Sequence, residues 1–346
     1  MARRGAEVRF ITRKWPPAVG GMETYSLRLT QSLAGQIDLE VMALPGRPDG
    51  AAPSMLALFA FFGRTLIQMT FSPPPKVVHV GDMALWPLGW AAMLFRRSTK
   101  LVISVHGRDV SLATERGWQA FAYRAYLRIG ARLLGSAQVV ANSAYIGELA
   151  RRWGFRSVAT VPLGSDFGSP DSPPRKDLLF AGRITRSKGL RFLVEQVLPL
   201  LPSSVRLRVA GTLWEAGEGP LLSHPRVDYL GALDETRLAA EFSRAGAVLI
   251  PSRTSEGFGL VAIEAAACGA YVVASNHSGL SEVVGPSIGT LVDANAPQAW
   301  ADAIRAALTM TDEEYRAHGA RARATVEAHY RWPKVAEATL ALYGLA

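Results

Sequence analysis

Two hydrophobic rhythms run along the chain. Short runs rich in β-branched residues, EVRFIT (7–12), LEVMALP (39–45), KVVHVG (76–81), KLVISVHG (100–107) and AQVVANS (137–143), are separated by longer segments of helical pattern. The rhythm restarts with DLLFAGRI (177–184), VRLRVAG (205–211), VDYLGAL (227–233), AVLIPS (247–252) and YVVASN (271–276). Strand-like runs alternating with helices predict a parallel sheet covered on both faces, and two such series predict two Rossmann-like α/β units. Between them GSDFGSPDSPPRKD (164–177) breaks both periods with glycine, serine and proline and reads as a linker. The expected organisation is a first unit over 1–163, a linker over 164–177 and a second unit over 178–331. After about Ala296 the pattern is helical, and the last helix, which follows the break at Pro333, is expected to cross back and complete the first unit over about 332–346.

The longest apolar run, MLALFAFFGRTLIQMTF (55–71), is interrupted by Gly63, Arg64 and Gln68. It falls short of the roughly 20 residues a membrane span requires and predicts a helix with one buried face. Composition adds little until the charge is divided. The 346 residues carry a net charge of +9, but residues 1–163 hold 20 Lys+Arg against 9 Asp+Glu, and residues 164–346 hold 18 against 20. The basic half would attract anionic lipid, nucleic acid or a phosphorylated substrate, or is simply a solvated arginine-rich surface. Cys268 is the only cysteine, which excludes an intramolecular disulfide and fits a reducing compartment. MARRGAEVRF lacks the apolar core of a signal peptide, so a cytoplasmic location is expected, with the apolar run and basic half allowing a peripheral place on the inner membrane face.

No GxxxxGK, no GxGxxG after the first strand, no HExxH and no DxD triplet occurs. Anion binding then falls to backbone amides and basic side chains at strand ends, the edge where open α/β sheets bind ligands. Gly20 and Gly21 precede a helical segment, where they either let amides approach an anion or form a turn of positive φ. Arg183 and Lys188, in FAGRITRSKGL, leave one strand end and could clamp a diphosphate, the arginine as a fork and the lysine as a point charge. The stretch EGFGLVAIEAAACG (256–269) predicts a glycine-opened helix start after a buried strand, with free amides and the positive end of the helix dipole. Glu264, one turn into that helix, could accept from a ribose diol; Glu256, in the preceding loop, points elsewhere and could accept from sugar hydroxyls. His106 and Asp109, in SVHGRDVS, stand at another sheet edge, where a histidine could hydrogen-bond a sugar, act as acid or base, or serve only the structure. The remaining histidines show no metal-site spacing, and no metal or other cofactor is expected.

Together PPAVGGMETY, SVHGRD, VVANSAY, VPLGSD, FAGRITRSKGL, LGALDE and PSRTSEGFGLVAIEAAACGAYVVAS resemble, in order and over nearly the whole chain, the retaining glycosyltransferases of family four, which have the GT-B fold. The resemblance implies a nucleotide-diphosphate sugar donor on the second unit. Arg183 and Lys188 would hold its diphosphate with the Gly259 and Leu260 amides, and Glu264 its ribose. Glu256, Gly257 and Phe258 would contact the transferred sugar, as would His106. Gly20 and Gly21 would lie near the phosphate, and Leu233 and Asp234 near the base. Two positions depart from the family pattern: Ser187 stands where an acidic residue often precedes the lysine, and Ser278 where a second glycine is common. The implied activity moves a sugar to a sugar, glycolipid or small-molecule acceptor, with an anionic membrane surface as a further partner and no nucleic acid. A nucleotide-sugar epimerase on a similar scaffold and a non-enzymatic basic binding module are the competing readings.

Overall fold

The computed structural model describes residues 6–18, 20–47, 53–95, 99–168 and 177–345. Six strands, β1 (Val8–Trp15), β2 (Leu39–Pro45), β3 (Val77–Val80), β4 (Lys100–Val105), β5 (Gln138–Ala141) and β6 (Val158–Thr160), form a first sheet in the order β2-β1-β3-β4-β5-β6. Every pairing is parallel. Their connections carry α1 (Gly21–Leu33), α2 (Met55–Phe71), α3 (Trp86–Phe95), α4 (Arg108–Ser111), α5 (Trp118–Leu133) and α6 (Ala144–Arg152). Only the step from β1 to β2 runs against the others. Because parallel crossovers are right-handed, α1 covers one face of the sheet and α2, α3, α5 and α6 the other. The order therefore switches between β1 and β3, which opens a crevice at their carboxyl ends.

The second sheet repeats the plan. Strands β7 (Asp177–Ala181), β8 (Leu207–Ala210), β9 (Val227–Gly231), β10 (Ala245–Ile250), β11 (Val272–Ser275) and β12 (Gly289–Val292) lie in the order β12-β11-β10-β7-β8-β9, again all parallel. With them stand α7 (Leu190–Phe192), which continues as a π-helical turn over Leu193–Val197, then α8 (Glu235–Arg244), α9 (Leu260–Ala267), α10 (Leu280–Val283), α11 (Pro297–Leu308) and α12 (Asp312–His329). Here the switch lies between β7 and β10, whose six central residues are all buried on the β10 side.

The chain divides into one unit of residues 1–163 with 332–346 and another of 164–331. The last helix, α13 (Trp332–Tyr343), packs on α1 and buries Val335, Ala336, Thr339, Leu340 and Tyr343. Its Tyr343 hydroxyl lies 2.6 Å from His79 Nδ1 on β3, and His79 Nε2 lies 2.7 Å from Ser104 Oγ on β4, which meets the Tyr25 hydroxyl of α1 at 2.6 Å. A buried polar chain thus joins both ends of the sequence of this unit. Of the stretch 164–177, residues 169–176 lie outside the described residues; Ser165 donates its amide to Tyr330 O, and Phe167 meets Phe242 edge-on, both within the second unit.

The run 55–71 is the helix α2, buried through Phe61, Thr65 and Met69 at four-residue spacing. Among the described residues no helix is long and apolar enough to cross a membrane. Strands β6 and β12 were not expected from the pattern. Both are short edge strands, and most of their residues are only half-buried, so they lack the apolar run that marks a central strand.

Candidate functional site

In the second unit the residues that follow β7 and β10 meet at the switch point. Lys188 ends a tight turn (Arg186–Lys188) closed by Gly189 at φ 80°, where a Cβ would fall 2.0 Å from Pro251 O. Only glycine allows that approach of the two loops. It brings Lys188 Nζ to 2.5 Å from Glu256 Oε1, and Ser252 Oγ donates to the same oxygen at 2.5 Å. Arg183 is exposed, with its guanidinium 4.8 Å from the centre of the Trp214 ring, a cation–π arrangement that orients the side chain. Burial pushes the Glu256 carboxyl up, but the Lys188 charge and hydrogen bond, the Ser252 hydroxyl and the Arg183 charge together hold it below the usual carboxylate range. Loop closure around Gly189 thus brings Lys188 and Ser252 onto the Glu256 carboxylate, with the Arg183 charge acting on it as well.

Helix α9 begins beside this cluster. Gly259 at its N-cap has φ 111°, a left-handed conformation, and no side chain caps the helix. Its first turn therefore presents backbone donors without a side-chain acceptor among the described residues. Glu264, one turn in, is half-buried. Phe258 does not face the cluster through its ring. The side chain is buried edge-on against Tyr330 at 5.9 Å, so only its backbone is available to a ligand. Ser278 occupies a left-handed conformation at φ 54°, the geometry that makes glycine common there. Its Oγ accepts from Glu256 N at 2.9 Å and donates to His277 O at 2.8 Å, fixing the loop that carries Glu256. Asp234 caps α8, its carboxylate accepting from Arg237 N at 2.8 Å, with Leu233 half-buried before it.

At the switch point of the first unit, His106 follows β4 and is buried. Its amide donates to both oxygens of Asp109 at 2.8 and 3.0 Å, its Nε2 lies 3.2 Å from Gly81 O, and Tyr25 packs edge-on at 4.5 Å. Burial pushes the imidazole down to about 4. At pH 7 it therefore stands as the neutral, hydrogen-bonding imidazole. Asp109, enclosed on all sides, is pushed up to about 8, chiefly by burial.

Asp82, after β3, is fully buried; Arg13 Nε donates to its Oδ1 at 2.9 Å, while its Oδ2 has no hydrogen-bond partner among the described residues. Lys14 lies 3.2 Å from Glu23. Gly20 at the N-cap of α1 has φ 173°, ordinary extended backbone, which excludes the positive-φ turn; Gly21 opens the helix, again without a side-chain cap. A Cβ on Gly20 would meet Glu23 Oε2 at 2.6 Å. Arg13, Asp82, Ser252 and the hydrogen-bonding role of Ser278 were missed in the sequence. The available signal was position: each follows or ends a central strand, as the recognised residues do. Among the described residues no three His, Cys, Asp or Glu side chains group to hold a metal ion.

Residues 1–164 match the family described as "Glycosyl transferase 4-like domain" and residues 175–310 that described as "Glycosyl transferases group 1". A D-inositol 3-phosphate glycosyltransferase of Xylanimonas cellulosilytica is 30% identical over 390 aligned positions, which cover 100% of this chain and 89% of that protein. Among solved structures, sucrose-phosphate synthase from Thermosynechococcus elongatus aligns with a TM-score of 0.78 at 23% identity over 97% of this chain and 98% of that one. Anabaena HepE, solved in complex with UDP and glucose, aligns with a TM-score of 0.75 at 17% identity over 99% of this chain and 100% of its own. The paired parallel sheets, the strand-end cluster and the full-length match converge: the chain belongs to family four of the glycosyltransferases and has their GT-B fold.

Proposed function

We propose that this glycosyltransferase moves a sugar from a UDP- or GDP-linked donor to an acceptor hydroxyl with retention of anomeric configuration and without a metal ion. One observation carries the reading: at the switch point of the second sheet, Lys188 and Arg183 converge on Glu256 beside the uncapped start of α9. Two cations and a helix N-terminus suit a diphosphate, and the carboxylate suits sugar hydroxyls. Donor binding would draw Lys188 from Glu256 to the phosphates and free Glu256 for the sugar. Glu264, one turn further, accepts from the ribose. Leu233 and the backbone around Asp234 approach the base. In the first unit, neutral His106 hydrogen-bonds the sugar, and Gly20 and Gly21 offer amides toward phosphate.

As the glycosidic bond breaks, negative charge grows on the leaving diphosphate. Lys188, Arg183 and the α9 amides then bind the transition state more tightly than the ground state. The diphosphate, its charge increased, accepts the proton of the attacking hydroxyl on the same face, so the sugar keeps its configuration without an enzymic nucleophile. The acceptor is a sugar, a glycolipid or a small molecule, and with a lipid-linked acceptor the enzyme works in the cytoplasm at the inner membrane face.

Thermal unfolding with UDP, GDP, ADP and their sugars tests the donor site, because a ligand of the folded state raises stability with the logarithm of its concentration. One nucleotide family should raise the midpoint, and Lys188→Ala should abolish the rise. No shift with any nucleotide refutes the site. Conversion of donor to an epimer without acceptor refutes the transferase assignment, NMR of the product anomer tests retention, and turnover undiminished by EDTA tests metal independence.

A further inference from the structure

The outer layer of the first unit is chemically unlike a solvated helical surface. Helices α2, α3 and α5 lie side by side on one face of the first sheet, with α3 between the other two. None contains an aspartate or a glutamate. Large apolar side chains face outward beside Arg64, Gln68 and Thr70 on α2 and Gln119 on α5: Leu56, Phe59 and Phe71 on α2 are 80%, 68% and 84% exposed, and Trp118 and Phe121 on α5 are 77% and 71% exposed. Helix α5 adds Arg124, Arg128 and Arg132 at four-residue spacing, with Arg128 and Arg132 exposed and Arg124 half-buried. None of the three pairs with a carboxylate among the described residues. They line, with Phe121, Ala125 and Ile129, an open groove of about 310 Å³.

We propose that this face, led by α5, docks on a membrane surface rich in anionic phospholipid. Charge decides the occupant. A row of guanidiniums without carboxylate partners among the described residues, on three helices that hold no aspartate or glutamate, is complementary to lipid phosphates, which supply many acceptors in one plane. The aromatic side chains at the start of α5 and the apolar side chains of α2 enter the headgroup and acyl boundary, as the apolar face of an interfacial helix does. A second copy of this chain fits less well, since it would set arginine row against arginine row. The surface shares no residue with the donor cluster, and it binds lipid whether or not a donor is present.

Flotation of the full chain with vesicles of phosphatidylglycerol and phosphatidylcholine, against phosphatidylcholine alone, tests the proposal without substrate. Low-salt binding to the anionic vesicles is expected. It should weaken about 100-fold in R124S/R128S/R132S, by the usual free energy per basic residue at an anionic surface, and fall in W118S/F121S, both variants keeping the wild-type melting temperature. Lys188→Ala should float like the wild type, so a failed donor site and a failed lipid surface give different results. Absence of low-salt binding, or equal binding by the triple-serine variant, overturns the proposal. So does a solution dimer that W118S/F121S dissociates, with no vesicle binding, which would assign the face to self-association.

Discussion

At the scale of single residues, Glu256 shows what a position in the sequence leaves open about its surroundings. Its carboxylate is a feature of the sequence, but its partners Lys188 and Ser252 come from 68 and 4 positions away. Replacing Lys188 by alanine should lower kcat/KM by about 10²–10³, the usual effect of removing one donor to a developing oxyanion, and steady-state kinetics with the donor found by thermal shift measures it. The buried first-unit cluster predicts a pH signature. Asp109, pushed up to about 8 from 3.8, keeps a proton in the folded state that the unfolded chain releases near its ordinary pKa. Its contribution to stability is full below that pKa and is lost as pH rises to about 8. His106 and His79, pushed by burial down to about 4 and about 3 from 6.5, act in the opposite sense: the unfolded chain takes up their protons first, so stability falls as pH drops below 6.5. Urea unfolding across pH should show Asp109→Asn removing the decline between pH 6.5 and 8 while leaving the acid limb in place.

At the scale of elements, α9 carries the clearest structural demand. The spacing of Gly257, Gly259 and Glu264 made its start legible, because glycine before an apolar helical run is a local signal. Gly259 takes φ 111°, and a Cβ there would lie 2.7 Å from Leu280 Cδ2. Gly259→Ala should destabilise the fold by about 1–3 kcal/mol through the left-handed backbone and should weaken nucleotide binding, read by urea unfolding and by the thermal shift together. Helix α2 was legible as a helix and its buried stripe followed from periodicity. Its outward apolar residues were not legible as exposed, since sequence shows which residues are apolar and not how much apolar surface the sheet beneath can cover. Asp234 illustrates the converse: a residue matched to a family position is also an N-cap, and the Arg237 amide decides its orientation.

Taken as a whole, the molecule is two α/β units of parallel strands, and the sequence showed both because central strands buried on both faces are apolar throughout. The attachment of α13 to the first unit rests on contacts between residues far apart in the chain, the shortest being Tyr343 to His79. Tyr343→Phe should cost about 1–3 kcal/mol, since it leaves a buried ring nitrogen without that partner. Equilibrium unfolding should show the loss in the transition of the first unit.

What the sequence alone determined is local and periodic: the strands with continuous apolar runs, the glycine-opened helix starts, the single cysteine's exclusion of an intramolecular disulfide and the identity of the residues at strand ends. What only the tertiary structure decided is convergence and burial. Strand order brings Lys188 to Glu256 and Arg13 to Asp82, and enclosure moves His106 and Asp109 far from their ordinary pKa values. Pairing across a sheet and removal from water depend on residues distant in sequence, and no local pattern encodes either.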